Sequence, residues 1–404
     1  MSRIYLDHAS ATPVAKEVVD AMVPYWSETF GNPSSIHKDG IQSHKVVARA
    51  RKSIADSLGV HSDEIIFTGS ATESCNLALM GTVHAWKKNH PGEIAHIIVS
   101  EIEHEAVLGA AKLLEGEGVQ VSYLPVDGHG VVLLDTLASI ITKNTVVISV
   151  MLANNEIGTI QPVSSVAKII RTWKKDVRGV TRDTSISGDQ IYPLLHSDAC
   201  QATNYLPIKI PALGVDLLTI NAAKIYGPKG IALLVSLRPV PILPIVVGGA
   251  HEAGRRAGTE NVPFIVGFAE ALKLTERVRD NESTRLSALR DNIVGELKKN
   301  PAIVLNGSLS ARLPNNIHFS IRGADHEFLA LTLDAKGISV STKSACNEQD
   351  AEYSHVLGAL VRAGHNTESN GIRVTMGRSS TANDITALLR VVSVLFPSEI
   401  VTPL

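Results

Sequence analysis

Short apolar runs alternate with longer amphipathic segments over residues 45 to 235. Seven runs have the continuous apolar composition of buried strands: EIIFTG (64–69), AHIIVS (95–100), VQVSYLPV (119–126), TVVISVML (145–152), LLHSDA (194–199), VDLLTINAA (215–223) and IALLVS (231–236). The segments between them that have helical character are 71–86, 103–118, 133–142 and 163–175. This alternation predicts an α/β fold in which a mostly parallel seven-stranded sheet is sandwiched by helices.

The pattern changes after about residue 262. Residues 271–300 are amphipathic and predict one long helix or a helix pair. The short runs NIHFSI and GISVST then predict strands, and residues near 382–396 predict a C-terminal helix. We therefore expect a large α/β domain over 15–261 and a smaller α+β domain formed by 1–14 and 262–404. The polar, aperiodic segment 176–192 predicts an exposed loop.

Composition narrows the possible functions. The 404 residues are 44% hydrophobic and 19% charged, with a formal net charge of −2, so no basic excess favours nucleic acid or an anionic membrane. An aromatic content of 4% also argues against base-stacking surfaces. The chain has no apolar run of membrane-spanning length, and its first residues lack the apolar core of a signal peptide. Three cysteines in such a chain favour reduced thiols, and we expect a cytoplasmic protein.

Several reactive residues fall where predicted strands end, which is where parallel sheets bind ligands. The turn FTGSATES leads into a helix at Ala71 and Thr72, and is either a phosphate site or an ordinary capped turn. His104 opens the next helix and is either a functional group or a solvated cap. Asp198 and Lys224 end two further strands. Pyridoxal phosphate is a cofactor that needs all four features together: a helix N-terminus, a stacking ring, a carboxylate and a lysine amine.

Ten sequence blocks in order make the chain resemble a known family. They are YLDHASATP (5–13), FGNPSSIHKDG (30–40), ATESCNLAL (71–79), EHEAV (103–107), NNEIGTIQP (154–162), HSDACQ (196–201), KIYGPKG (224–230), RRAGTEN (255–261), STKSAC (341–346) and IRVTMGR (372–378). The chain is similar to the fold-type I pyridoxal-phosphate enzymes of aminotransferase class V, and more closely to cysteine desulfurases of the NifS/IscS type. The resemblance covers nearly the whole chain.

The resemblance implies a role for each matching residue around the cofactor. Lys224 would bond to the aldehyde and move protons at the substrate Cα and the cofactor C4′. Asp198 would pair with the ring nitrogen and favour its protonated form, and His104 would stack on the ring and assist proton transfer. The other implied contacts are Ala71 and Thr72 with the phosphate, Gln201 with the ring oxygen, Asn155 beside the cofactor and the substrate, and Thr259 with the phosphate of a neighbouring subunit. A homodimer is therefore expected.

The resemblance also implies the reaction. Arg373 would bind the substrate carboxylate, for which a planar guanidinium is well suited. Cys346 lies in a polar segment near Lys343, where exposure and a nearby cation favour a thiolate. It would attack the sulfur of L-cysteine, giving L-alanine and an enzyme persulfide for an iron–sulfur scaffold, tRNA thiolation or another sulfur acceptor. Cys75 and Cys200 are expected to be buried apolar residues.

Two alternatives remain open from the sequence. A selenocysteine lyase shares this scaffold and differs in its substrate. A non-catalytic scaffold subunit of a sulfur-transfer complex is the other, because Asn221-Ala222-Ala223 replaces the usual Ser-x-His before the lysine, and Gly69-Ser70 inverts a usual Ser-Gly pair. Asn221 keeps a donor for the phosphate, whereas Ala223 offers none. These changes are expected to weaken cofactor binding more than chemistry. No metal site is expected.

Overall fold

The computed structural model describes residues 3–180, 191–238, 240–342 and 354–397. Cys346 and Lys343 lie outside these residues, as does most of the expected loop at 176–192. In the described part, none of the helices combines the length and the apolar content that crossing a lipid bilayer requires.

A seven-stranded sheet forms the centre of the fold, as predicted. Its strands are β2 (Ile65–Thr68), β3 (His96–Ser100), β4 (Gln120–Leu124), β5 (Thr145–Ser149), β6 (Leu194–Asp198), β7 (Leu217–Asn221) and β8 (Ala232–Ser236). They lie in the order β2-β8-β7-β6-β5-β3-β4. Strands β4, β3, β5, β6 and β7 are parallel to one another, while β8 is antiparallel to both β7 and β2.

Smaller sheets lie outside this one. Strands β10 (Asn316–Ile321), β9 (Ile303–Leu305) and β12 (Ile372–Thr375) form an antiparallel three-stranded sheet with β10 at its centre. Strand β1 (Ile4–Tyr5) pairs in parallel with β11 (Ile338–Ser339). The N-terminal segment is therefore attached to the C-terminal part of the chain.

Helices cover the sheets. They are α1 (Lys16–Met22), α2 (Pro24–Ser27), α3 (Lys38–Leu58), α4 (Ala71–Asn76), α5 (Thr82–Asn89), α6 (Glu105–Gly116), α7 (Leu134–Ile140), α8 (Val163–Arg178), α9 (Ile210–Leu213), α10 (Val262–Leu297), α11 (His326–Ala335), α12 (His355–Arg362) and α13 (Ala382–Leu395). Most of the amphipathic 271–300 segment thus belongs to one continuous helix, α10, which begins earlier than expected and ends at Leu297.

Apolar residues from both faces of the large sheet are buried, which explains the unbroken apolar runs in the sequence. Ile97 and Val99 of β3 pack with α5 and α6 residues in one core cluster, whereas Ile98 packs on the other face in a second cluster. Alternate strand residues point to opposite faces, so a strand covered on both sides must be apolar throughout. The division into two domains stays a prediction.

Two local details differ from the sequence prediction. The expected strand 215–223 ends at Asn221, and Ala222–Lys224 form a short 3₁₀ turn. The expected helix 71–86 is α4, a π-helical turn at Leu77–Gly81, and α5 in succession. Single π-turns inside helices occur often near functional sites. Because β7 ends at Asn221, Lys224 lies in the turn after the strand and not at the end of the strand.

Candidate active site

One cavity, of about 190 Å³, lies at the carboxyl ends of the parallel strands. Its lining residues are Ala9, Ser10, Ser70, Ala71, Thr72, His104, Ala106, Met151, Ala153, Asn155, Asp198, Cys200, Gln201, Asn221, Lys224 and Arg373. The structure therefore brings together nine of the residues that the sequence singled out: Ala71, Thr72, His104, Asn155, Asp198, Gln201, Asn221, Lys224 and Arg373.

Lys224 is presented to the cavity by the turn that follows β7. The side-chain oxygen of Asn221 accepts a hydrogen bond of 3.0 Å from the N–H of Ala223, and this cap starts the turn. Lys224 donates from Nζ to the carbonyl oxygens of Ala9, at 2.7 Å, and Ser10, at 2.5 Å. The amine is thus held against the N-terminal segment, which forms one wall of the cavity.

The loop after Lys224 is fixed by close contacts. Tyr226 has a φ of 64°, an uncommon conformation for a bulky residue. Its N–H donates to Oγ1 of Thr12, at 2.9 Å, and Oγ1 of Thr12 donates to the carbonyl oxygen of Ala223, also at 2.9 Å. A Cβ at Gly227 would lie only 2.9 Å from the carbonyl oxygen of Ala222. The glycine and the threonine together set the position of the lysine backbone.

Asp198 ends β6 and is 8% exposed. Its Oδ1 accepts a hydrogen bond of 2.8 Å from the N–H of Cys200, and its Oδ2 lies 3.9 Å from Sγ of Cys75. Both thiols are buried, as expected, and burial raises the pKa of each well above its ordinary value. Both thiols are therefore protonated and add no negative charge beside the carboxylate.

Sequence reasoning missed a buried polar layer beside Asp198. Glu103 is fully buried, and its Oε1 accepts a hydrogen bond of 2.6 Å from the N–H of Met151. Burial, with the nearby charge of Asp198, raises the pKa of Glu103 to about 8. A glutamate next to His104 has no sequence feature that marks it as buried. Glu103 is buried because the fold places it between the ends of β3 and β5.

His196 completes this layer from the strand that carries Asp198. Its Nδ1 lies 2.9 Å from Oγ of Ser149 on β5, and its Nε2 lies 3.0 Å from Oγ1 of Thr219 on β7. Burial lowers the pKa of His196 to about 4, so the ring is neutral at neutral pH. Two residues apart on one strand, His196 and Asp198 point to the same face of the sheet.

The start of α4 is capped from both sides. Oγ of Ser70 accepts from the N–H of Glu73, at 3.1 Å, and Oε2 of Glu73 accepts from the N–H of Gly69, at 2.7 Å. An ion pair of 2.8 Å to Arg256 fixes the glutamate. The first-turn N–H groups have no helical acceptors, so those of Ala71 and Thr72, which line the cavity, can bind an anion.

His104 and Gln201 also line the cavity. Nδ1 of His104 accepts the N–H of Ala106, at 3.0 Å, and so caps α6. This leaves Nε2 as the ring nitrogen that carries the proton in the neutral form. Nε2 of Gln201 donates to the carbonyl oxygen of Ala9, at 3.0 Å. The sequence left open whether His104 was a cap or a functional group. In the structure its ring caps α6 and also lines the cavity, so one role does not exclude the other.

Asn155 is positioned by its neighbour. The side-chain oxygen of Asn154 accepts the N–H groups of Glu156, at 2.8 Å, and Ile157, at 3.0 Å, while its Nδ2 donates to Ile102 at 2.9 Å. Gly158 closes the loop with a φ of 70°, and a Cβ there would meet Oδ1 of Asn316 at 2.5 Å. These hydrogen bonds and Gly158 stabilise the loop conformation in which Asn155 lines the cavity.

Arg373 is buried, and 2% of its surface is exposed. Nη2 donates to Oδ1 of Asp7, at 2.9 Å, and to Oγ of Ser10, at 2.7 Å, while Nη1 donates to the carbonyl oxygen of Asn155, at 3.2 Å. Within the described ranges, Nε has no hydrogen-bond partner. A buried guanidinium with an unused N–H at a cavity wall is suited to bind a carboxylate.

Thr259 does not line this cavity. It is exposed, on the segment that leads to α10. Cys346 lies outside the described residues, in the gap at 343–353. The roles assigned to both remain predictions.

Comparisons with known proteins agree on the family. The aminotransferase class-V model matches residues 4–388. The chain is 42% identical to a cysteine desulfurase IscS of Dictyoglomus turgidum over 392 residues, which is 96% of this chain and 93% of that one. It is also 42% identical to a cysteine desulfurase IscS of Methanosarcina thermophila over 389 residues, 96% of this chain and 91% of that one.

Solved structures give the same result. A NifS-like protein superposes with a TM-score of 0.85 and 32% identity, covering 97% of this chain and 99% of that one. A structure described as SspA in complex with cysteine has a TM-score of 0.75 and 29% identity, with 92% and 98% covered. By fold and by sequence over almost its full length, this chain belongs to the aminotransferase class-V family, as an enzyme of its IscS/NifS-like cysteine desulfurases.

Proposed function

We propose that the protein binds pyridoxal 5′-phosphate in this cavity and converts L-cysteine to L-alanine, leaving the sulfur as a persulfide on Cys346. The observation that carries the proposal is that Lys224, Asp198 and Arg373 line one cavity with the start of α4. An amine, a carboxylate, a guanidinium and an anion-binding helix start are the groups that this cofactor and an amino-acid substrate require.

The cavity contains hydrogen-bond donors for the cofactor phosphate even though Ser-x-His is missing before the lysine. Asn221 uses its side-chain oxygen as a cap, so its amide nitrogen is the end that can donate to a phosphate. The first-turn N–H groups of Ala71 and Thr72 supply further donors, whereas Ala223 supplies no side-chain donor. We infer that the site holds the phosphate with fewer contacts than the family pattern, and that Thr259 of a second subunit adds one in a homodimer.

Each charged residue then has a defined task. The bound cofactor supplies an electron sink that stabilises negative charge at the substrate Cα. Burial keeps the thiols of Cys75 and Cys200 protonated, so they add no negative charge beside Asp198, which would pair with the ring nitrogen. Lys224 would hold the aldehyde and move the proton at Cα, and His104 would contact the ring and assist proton transfer. Arg373 with Asn155 would bind the substrate carboxylate.

The position of Cys346 in the chain supports its role as acceptor. Ser341 and Arg373 exchange backbone hydrogen bonds of 3.2 and 2.7 Å just before residues 343–353. Just after them, Ser354 donates to Oε2 of Glu156, at 2.6 Å. Both flanks thus lie beside residues that shape the cavity, and Cys346 is four positions from Thr342, a reach of up to about 14 Å.

The sulfur transfer balances without an external oxidant. The Cβ–S bond of the substrate breaks, and an S–S bond forms to the thiolate of Cys346. The Cβ carbon gains a proton, so the products are L-alanine and the persulfide, which a sulfur-acceptor protein can then take.

The experiment uses the purified protein loaded with pyridoxal phosphate. We expect alanine and, with a reductant, sulfide from L-cysteine in equal amounts. Cys346→Ser should retain the visible absorbance of the bound cofactor and lose sulfide release, whereas Lys224→Ala should lose both borohydride-fixed cofactor and activity. Lys229→Ala, an exposed lysine in the same loop, is the matched control.

Each alternative has its own outcome. Protein that stays colourless with added cofactor would support a non-catalytic scaffold, and activity confined to L-selenocysteine would support a lyase. Sulfide release that survives Cys346→Ser would show that another residue accepts the sulfur. Sedimentation at varied concentration tests the expected homodimer.

A further inference from the structure

Ser10 contacts Arg373, which would bind the carboxylate of an amino acid, and Lys224, whose place at the cofactor aldehyde the amine of the amino acid would take. Its carbonyl oxygen accepts from Nζ of Lys224, at 2.5 Å, and its hydroxyl accepts from Nη2 of Arg373, at 2.7 Å. An α-amino acid carries its amine and its carboxylate on one carbon atom. Ser10 therefore lies between the two positions at which an amino-acid substrate would be held.

The hydrogen bonds of Arg373 decide where a carboxylate can bind. Nη2 has two N–H groups, and Asp7 and Ser10 accept both of them. Nε, which has no hydrogen-bond partner among the residues that the structure describes, lies on the edge of the guanidinium that it shares with Nη2. A carboxylate bound to this edge in the planar, two-bond geometry needs one N–H from each nitrogen. One of the two present partners of Nη2 must therefore turn aside.

Ser10 is the partner that can move at low cost. Asp7 is a carboxylate paired with a buried arginine, and separating such a pair is costly. A serine hydroxyl is neutral and can turn about one bond. It can also donate as well as accept, whereas an ionised aspartate only accepts.

We propose that Ser10 is a substrate-binding residue that determines specificity for α-carboxylates: its hydroxyl leaves Nη2 of Arg373 and donates to the carboxylate that replaces it. This inference goes beyond the proposed desulfurase activity but rests on it for the presence of an amino-acid substrate. It predicts that binding of a carboxylate, and not of an amine alone, depends on the hydroxyl.

The test measures equilibrium binding to the pyridoxal-phosphate-loaded protein, by the change in cofactor absorbance, for L-alanine and for ethylamine. These ligands differ only by the carboxylate. Ser10→Ala should raise the Kd of L-alanine about tenfold, because a hydrogen bond to a charged group is lost, and should change the Kd of ethylamine less than twofold. In the ligand-free Ser10→Ala protein, water can take the place of the hydroxyl as the acceptor for Nη2. The ligand-free state is therefore little destabilised, and the lost hydrogen bond to the carboxylate appears almost fully in the Kd. Ser10→Thr keeps a hydroxyl and should restore most of the affinity for L-alanine.

Other outcomes overturn the inference. Equal weakening of both ligands would mean that Ser10 only supports Lys224, and unchanged binding of L-alanine would mean that the hydroxyl makes no contact with it. Loss of the cofactor from Ser10→Ala, with retention in Ser10→Thr, would show that the hydroxyl supports the site itself and would also overturn the inference. Failure of the proposed function is separate, because it would appear as absence of alanine formation from L-cysteine in the unmodified protein.

Discussion

Oε1 of Glu103 lies 2.6 Å from the backbone nitrogen of Met151, so a carboxyl group is fixed inside the protein between the ends of β3 and β5. Burial there raises its pKa from 4.5 to about 8. The folded protein therefore holds this proton over a pH range in which the unfolded chain releases it.

The first prediction concerns stability against pH. From about pH 4.5 to 8 the unfolded state loses the Glu103 proton while the folded state keeps it, so this group lowers the free energy of unfolding as pH rises. Glu103→Gln cannot titrate. Its stability relative to the unmodified protein should rise by at most about 1.4 kcal/mol per pH unit across this window. Urea unfolding at pH 5, 6.5 and 8 measures it; identical pH slopes for the two proteins would contradict the raised pKa. Glu115→Gln, at an exposed position, is the control.

The second prediction concerns Arg373. A lysine keeps the charge but loses the planar fork, and it leaves Asp7 and the carbonyl of Asn155 poorly paired. Arg373→Lys should raise KM for L-cysteine at least about tenfold, with a smaller effect on kcat. Steady-state kinetics test this. Arg362→Lys changes an exposed arginine that pairs with Glu101 outside the cavity lining, and should leave KM within twofold.

The third prediction concerns the loop that presents Asn155. Asn154→Ala removes the acceptor for two buried N–H groups and the donor to Ile102. We expect a loss of about 2–4 kcal/mol in stability, from lost and unsatisfied hydrogen bonds, and a lower kcat/KM. Asn144→Ala, which removes one exposed hydrogen bond to Ile94, serves as the comparison. Equal effects of the two changes would show that Asn154 does not shape the site.

The fourth prediction concerns Tyr226. Its hydroxyl accepts the N–H of Arg378 at 2.7 Å, and the guanidinium of Arg378 lies 3.9 Å from the ring centroid. Tyr226→Phe keeps the ring contact and leaves that N–H without its acceptor. Stability should fall by about 1–3 kcal/mol, measured by denaturant unfolding beside Tyr123→Phe at a half-exposed position. A loss no larger than that of Tyr123→Phe would show that water replaces the hydroxyl.

The sequence predicted the large sheet well because buried parallel strands are apolar throughout and their carboxyl ends share one edge. That rule was enough to bring Asp198, His104 and Lys224 together. It did not predict that β8 runs antiparallel between β2 and β7, since pairing direction leaves no mark on an apolar run.

Other parts of the site were missed for a different reason. Ala9 and Ser10 accept from Lys224 through backbone carbonyl oxygens, which any residue type possesses. The partnership of Ser10 with Arg373 spans 363 positions and follows only from the tertiary fold. Glu103 and His196 are ionisable residues made neutral by burial, and a sequence pattern carries little information about such burial.

The wall built by residues 7–12 has a consequence for biosynthesis. The contact of Asp7 with Arg373 needs a residue that is translated 366 codons later, and the contact of Ala9 with Lys224 needs one that is translated 215 codons later. On the ribosome the pocket is therefore incomplete until Arg373 has been synthesised.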